Sequence, residues 1–457
     1  MSAACTIIGA GPVGTLMALL LARRGRRVRL IERRPDPRRS PPEQGRSINL
    51  ALAARGIVAL EHCGLMARVR PHLVPMPGRM LHAVDGSQQF LRYGRNEAEV
   101  IHAVSRERLN RELIEAAAEQ PGIELQFDAC CLDVDPAAGT VQIQHEHGVS
   151  TSGFSLLVAA DGAGSAVRAA LVRRGLGEVR EDPLAHDYKE LLIGARAATP
   201  GACAARTAPG YVFEPHALHI WPRGGYMLIA LPNADGSFTA TLFLPRHGDP
   251  GFDRLHDERA VRALFARQFA DAAAVMDDLT QQFSAHPQGR LGSVHCAHWQ
   301  LGGRAVLLGD AAHAIVPFHG QGLNCGFEDC AVLDRLLDGR ADPAAALARF
   351  ERERRPDTEA IAAMALENYV EMRDGVRSAL FARRQGLAAQ LEHCFPARFI
   401  PRYSMVMFHP EIAYREAQRR GKLQQQLLDA LSERFGFAAL QGDSLTYAQQ
   451  LLEQHGL

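Results

Sequence analysis

The chain contains no apolar run of eighteen residues or more, which excludes an ordinary membrane-spanning helix. It also lacks an excess of either charge. Its 51 basic and 51 acidic side chains cancel, so there is no bulk attraction toward nucleic acid or an anionic membrane, and any charge recognition falls to local patches. Cysteines at zinc-ligand spacing are missing too. The nine are scattered, and the adjacent pair Cys130-Cys131 has no second pair to complete a ligand set, so no metal is expected and they read as reduced thiols of a cytoplasm. No basic segment leads into a signal-like apolar core at the start, and no internal repeat or low-complexity segment follows. At 457 residues, 47% hydrophobic and 22% charged, the composition is that of a soluble globular protein too long for one core, so two or three domains are expected.

The first residues carry the sharpest signal. Cys5-Thr6-Ile7-Ile8 is a short β-rich run that feeds Gly9-Ala10-Gly11-Pro12-Val13-Gly14, and an apolar stretch follows to Ala22. Strand, glycine turn and helix in that order suit a dinucleotide: Gly9 permits the tight turn, Gly11 lets a pyrophosphate approach bare backbone, and Gly14 allows close packing. The next strand, Arg27 to Ile31, ends in Glu32, 18 residues beyond Gly14 and near the position of a ribose-binding acid. The proline-broken basic loop Arg33 to Pro42 then lies beside the expected dinucleotide, Arg33 and Arg34 being expected to meet it and most of its arginines reading as solvated surface.

Helical spacing of Leu109, Leu113, Ile114 and Ala117, then the alternating Ile123 to Phe127, continue an α/β layer. From about Glu190 to Leu244 the texture changes to short β runs, Tyr211-Val212-Phe213, Leu218 to Trp221, Tyr226 to Leu231 and Phe238 to Leu244, separated by Pro, Gly and Asn. An antiparallel sheet inserted into the α/β domain is expected there. Beyond Asp342 the chain is helical in pattern to its end, with Leu423, Leu427, Leu428 and Leu431 on one amphipathic face that packs onto the protein.

Two further strand ends complete the constellation. Leu156 to Ala160 ends in Asp161-Gly162 before a helix opened by Ser165 and Arg168, and Leu307 to Gly309 ends in Asp310, followed by Pro317 and the glycine-rich Gly320 to Asn324. Acids at several strand ends fit a large cofactor with ribose and ribityl hydroxyls, Asp310 accepting from the latter, while the amides of Gly322, Leu323 and Asn324 face an electron-rich ring at a helix start. Taken singly, either Asp-Gly or Gly-Asp is an ordinary turn.

The three motifs in this order resemble the class A flavoprotein monooxygenases over most of the first 330 residues. That resemblance implies bound FAD, visiting NADPH, O2 activated as a flavin C4a-hydroperoxide, and no dedicated catalytic side chain. No second glycine fingerprint is present for the NADPH. Within the family, Gly45 to Leu52, Ala103 to Glu107, His219 to Arg223, Gly309 to Phe318 and Tyr403 to Val406 resemble the branch that hydroxylates L-kynurenine. The rivals are a hydroxylase of another aromatic acid and a flavin-binding sensor without turnover. Eukaryotic members of the branch continue into a hydrophobic anchor, whereas this chain ends at Leu457, so the resemblance implies a soluble, cytoplasmic, bacterial-type protein. Nothing in the sequence sets its oligomeric state.

The expected fold is α/β: a Rossmann-like FAD-binding domain (1–70, 96–180 and 290–355), an antiparallel β-sheet substrate domain (71–95 and 181–289) and a C-terminal helical region (356–457). Residue by residue, the resemblance assigns Arg79 and Tyr93 to the substrate carboxylate, and Asn368 and Tyr403 to further substrate contacts. Read alone, Arg79 is a surface charge, and Asn368 and Tyr403 are helix or core residues. Phe318 and His319 wall the aromatic pocket, with a solvated loop position as the alternative for His319. His313 is assigned to structure. Arg46 and Arg106 meet the FAD phosphates or ring, or make ordinary ion pairs, and Val13, Leu52, Cys131 and Ala166 meet FAD through backbone groups.

Overall fold

Cys5–Ile8, Leu156–Ala159 and Ala305–Leu307 are buried at every residue instead of at alternate ones, the pattern of strands covered on both faces of a parallel sheet. In the computed structural model, which describes residues 5–39, 49–196, 210–338, 342–373 and 379–457, they lie in a six-stranded sheet. Its order is Gln300–Leu301, Ala305–Leu307, Leu156–Ala159, Cys5–Ile8, Val28–Ile31 and Ile123–Gln126, parallel except for the first pair. Helix Pro12–Arg23 begins with proline at its first position, where no N–H is needed, and helix Arg106–Ala118 is capped by Ser105, whose hydroxyl accepts from Arg108 N.

The second sheet has seven strands, in the order Gln288–Cys296, Val179–Ile193, Phe238–Pro245, Met227–Pro232, Leu218–Pro222, Gly78–His82 and Gln88–Arg92. It is antiparallel except where Leu218–Pro222 runs parallel to Gly78–His82. Alternation divides its two faces. Trp221, Leu228, Phe238 and Leu242 join a core with Val261, Leu264 and Phe265 of helix Glu258–Gln268, while Ile220, Met227 and Phe243 pack with Val316, Phe318 and Tyr369. Two of its strands, Val179–Ile193 and Gln288–Cys296, run across the expected boundaries at 180/181 and 289/290.

One expected strand is absent. Tyr211-Val212-Phe213 is a bend after Gly210, because consecutive side chains there all pack inward and Tyr211 donates its hydroxyl to Asn233 O at 2.6 Å, leaving no alternating face for a ladder. Conversely, a three-stranded meander over Cys130–Asp135, Thr140–His145 and Gly148–Gly153 was not anticipated. Helices Pro343–Arg373, Ala379–Cys394, Arg402–Phe408, Tyr414–Phe435 and Asp443–Gln454 complete the chain, and Leu427, Leu428 and Leu431 pack against Leu387, Leu391 and Leu452. Among the described residues no helix is long and apolar enough to cross a membrane.

Candidate active site

The turn after Cys5–Ile8 is held by contact. Gly9 sits at φ +99°, and a Cβ there would lie 2.5 Å from the Ala160 carbonyl oxygen; a Cβ on Gly14 would collide with the Gly9 carbonyl. Gly11 is different. Nothing lies within 4 Å of a Cβ placed there, because its backbone faces open space.

That space is the edge of a cavity of about 370 Å³. From Gly11 and Val13 it passes Arg106, Asp310, Gly322 and Leu323 and reaches Arg79, Tyr93, Phe318, His319, Asn368 and Tyr403. Residues spread over nearly four hundred positions thus share one enclosure. Its apolar wall, Leu218, Ile220, Ile229, Phe243 and Leu291, comes from the seven-stranded sheet and was missed from sequence, although the period-2 pair Leu218 and Ile220 is the signal that marks it.

At the far end, Arg79 stands on strand Gly78–His82, in register with Leu218, and has no ion pair among the described residues. Tyr93 and Tyr403 stack with centroids 5.3 Å apart, and Tyr403 stacks on His319 at the same distance. Burial pushes the Tyr93 hydroxyl up to about 12, against the pull of Arg79, and raises Tyr403 as well, so both remain protonated donors. His319 is pushed down to about 4 by burial, and its Nδ1 has no hydrogen-bond partner among the described residues. Asn368 donates to the Phe318 carbonyl at 2.6 Å, fixing a ring that stacks on Tyr369 at 4.2 Å.

Toward the glycine turn, Asp310 has no hydrogen-bond partner among the described residues. Its side chain is reachable from the cavity, yet it lies deep enough that desolvation raises its carboxyl, with Arg106 opposing. Asn324 is fully used. Its Oδ1 accepts from Ala53 N at 2.9 Å and its Nδ2 donates to Ala51 O and Gly320 O, each at 2.8 Å, clipping the glycine loop to strand Asn49–Leu52. Asn324→Ala leaves those buried groups unpaired and is expected to cost about 2–4 kcal/mol, read as a lowered denaturation midpoint at unchanged slope. Gln321, missed from sequence, holds the loop from the other side by accepting from Tyr414 Oη at 2.6 Å.

Behind this loop, His313, Cys325 and Asp329 bring donor atoms within 4.8 Å of one another. Their cation is a guanidinium: Arg354 donates to Asp329 Oδ1 at 2.8 Å and to Cys325 Sγ at 3.4 Å, while His313 meets Asp329 Oδ2 at 2.6 Å. Burial raises the Cys325 thiol well above its ordinary range, so it is an unreactive packing group.

Residues 2–365 match a family model described as an FAD binding domain. Kynurenine 3-monooxygenase of Stenotrophomonas maltophilia (strain K279a) is 47% identical over 432 residues, covering 94% of this chain and 92% of that protein. The chain belongs to the kynurenine 3-monooxygenase family. The homologue of Xanthomonas campestris pv. campestris (strain 8004), with the same name, is 46% identical over 428 residues, covering 93% and 91%. Among solved structures, 2-methyl-3-hydroxypyridine-5-carboxylic acid oxygenase superposes with a TM-score of 0.66 at 19% identity over 81% of this chain and 93% of that one. Pseudomonas aeruginosa PqsL, in complex with 2-aminobenzoylacetate, gives 0.65 at 21% over 84% and 100%. These two share the fold.

The cavity suits the FAD of the kynurenine 3-monooxygenase family: bare backbone at Gly11, a helix start at Gly322 and, among the described residues, an acceptor without a hydrogen-bond partner at Asp310 and a cation without an ion pair at Arg106. Val13 and Leu323 line it as well, whereas the other described residues expected to meet FAD lie outside its lining. Glu32 accepts from Ala10 N at 2.9 Å and from Arg34; burial alone would raise its carboxyl, but the Arg34 contacts hold it below the usual range. Arg33 is exposed. Leu52 is buried in the core, and burial pushes the Cys131 thiol up to about 12. Asp161 turns onto the helix that Ala166 opens, accepting from Ser165 Oγ at 2.6 Å and Val167 N at 3.2 Å. Arg46 lies outside the described residues.

The two histidines pushed down furthest contribute to a pH response. His319 and His219, the latter joined to His82 at 2.8 Å on the helix-covered face of the sheet, are both pushed down to about 4 by burial. An unfolded histidine titrates near 6.5, so between about 6.5 and 4 the unfolded chain binds more protons than the folded one. Their contribution is therefore complete above about pH 6.5 and falls as pH drops, with a limiting slope of about 2.7 kcal/mol per pH unit for two groups. Denaturation of the FAD-loaded protein across this window checks it; a midpoint constant from pH 6.5 to 4.5 contradicts it.

Proposed function

We propose that this chain converts L-kynurenine to 3-hydroxy-L-kynurenine, one atom of O2 entering the ring and the other leaving as water while NADPH is oxidised. The observation that carries the reading is the pairing, in one enclosure with the FAD-binding turn, of a guanidinium without an ion pair among the described residues, Arg79, with an aromatic and aliphatic pocket. Bound FAD supplies the hydride acceptor and the activation of dioxygen.

The side chains then have three tasks. Arg79 takes the substrate carboxylate, and the protonated Tyr93 and Tyr403 hydroxyls add neutral donors, since a carboxylate leaving water needs a charge partner and several hydrogen bonds; Asn368, whose amide N–H groups are held by Phe318 O and Met372 Sδ, offers its Oδ1 as an acceptor. Phe318 and His319, with Leu218, Ile220, Ile229 and Phe243, enclose the aniline ring and exclude water. Asp310, Arg106 and the amides at Gly322 and Leu323 orient the cofactor toward that ring. The ring amine already directs electron density to the neighbouring carbon, so positioning replaces a dedicated base.

The test is product analysis of the purified FAD-loaded protein with NADPH in air. Product one oxygen heavier than L-kynurenine, and NADPH oxidation stimulated by L-kynurenine above aromatic acids lacking an amino-acid side chain, is the expected result. Stimulation by those acids alone would move the protein to another hydroxylase substrate, and no product from any of them would leave a flavin-binding protein without turnover.

A further inference from the structure

The charges that line the cavity do not balance. Among the described lining residues are three guanidiniums, Arg79, Arg106 and Arg290, and one carboxylate, Asp310. None of the three arginines has an ion pair or side-chain hydrogen bond among the described residues. Two have an anion under the proposed reaction: the amino-acid carboxylate for Arg79 and the FAD pyrophosphate for Arg106. Arg290 is left over.

It stands too far from Arg79 to share that carboxylate. Its strand, Gln288–Cys296, lies five positions from Gly78–His82 in the sheet order, a separation of roughly 24 Å at about 4.8 Å per strand. It is also exposed, whereas Arg79 is half-buried, so a ligand can reach it from solvent. The same strand leads inward. Leu291 and Gly292 line the cavity, and Val294 N donates to Ala314 O at 2.8 Å, joining the strand to the segment that follows Asp310.

We propose that Arg290 is the docking residue for a phosphate of the visiting nicotinamide dinucleotide. The inference rests on the NADPH-dependent reaction above, whose remaining reactant with negative charge is NADPH; dioxygen is neutral. An exposed guanidinium at the rim captures the dinucleotide by its charge, and the strand guides the rest of the molecule toward the cofactor turn. Arg290 acts on binding and does not touch the reacting atoms.

The test uses FAD-loaded Arg290→Ala and Arg290→Lys beside the unaltered protein. Calorimetric titration with NADP+, which needs no turnover, is expected to show binding weakened roughly tenfold or more in Arg290→Ala and partly restored in Arg290→Lys. The KM for NADPH should rise in parallel, while FAD content and the KM for L-kynurenine stay unchanged. A loss confined to NADP+, with NAD+ unaffected, places the 2′-phosphate at Arg290; an equal loss for both places the pyrophosphate there. NADP+ affinity within twofold of the unaltered protein, or no binding to either, overturns the assignment. Failure of the hydroxylation reading is a separate result, since it appears as missing product from the unaltered protein.

Discussion

Arg79→Ala is expected to weaken L-kynurenine binding by roughly 100-fold while the protein keeps its FAD. The size follows from the setting. A carboxylate that enters the apolar end of the cavity gives up water, and its compensation is one guanidinium plus hydroxyls that burial keeps protonated. Arg79 makes no ion pair among the described residues, and its charge acts on Glu371, whose carboxyl burial raises against that pull. Arg79→Lys keeps the charge but loses the two-pronged geometry and should fall between alanine and arginine. The measurement is an equilibrium titration of the flavin spectrum with L-kynurenine, with bound FAD quantified in the same samples. Affinity within threefold of the unaltered protein would remove Arg79 from the substrate site.

Gly11→Val is expected to abolish FAD binding and leave the apoprotein folded. A side chain at Gly11 meets no protein atom within 4 Å, and the residue has φ −69°, which any L-residue adopts. What the new methyl groups would occupy is the space across which the pyrophosphate approaches the helix start. Gly9→Ala makes the contrast, because its Cβ strikes the Ala160 carbonyl at 2.5 Å and φ is +99°. That variant should lose stability by about 2 kcal/mol or more with or without cofactor. Thermal melts and flavin absorbance of the two variants separate these cases. A yellow Gly11→Val protein with full FAD would show that the dinucleotide does not cross this turn.

How legible these features were follows from how far apart the cooperating residues lie in sequence. The glycine turn is local, so Gly9, Gly11 and Gly14 could be read from the strand, turn and helix around them. Helix Arg106–Ala118 was equally plain from the spacing of Leu109, Leu113 and Ile114, all buried. Arg79 could not be placed by spacing, because its neighbours are Tyr93 at the end of the adjoining hairpin strand, Leu218 across a parallel strand pair and Tyr403 from a distant segment. A resemblance was needed for that, and it says nothing of Arg290, whose strand lies at the far edge of the same sheet. Asp161 shows the opposite limit: a carboxylate at a strand end looks like a hydroxyl acceptor in sequence, yet the helix beginning at Ala166 has unpaired N–H groups that claim it first. The apolar wall was written in the alternation of Leu218 and Ile220 around His219, but alternation names two faces without saying which one meets the cofactor. Tyr211 to Phe213 misled for a related reason, since aromatic and β-branched residues favour any half-buried surface, bends included.

The central claim is that one cavity presents a carboxylate-anchored aromatic ring to the cofactor. A crystal structure of the protein with FAD and L-kynurenine, grown without NADPH, tests it most directly. The expected result is the amino-acid carboxylate within hydrogen-bonding distance of Arg79 and Tyr93, with the aniline ring between Phe318 and the flavin. Kynurenine bound away from Arg79, or its ring facing away from the flavin, would contradict it.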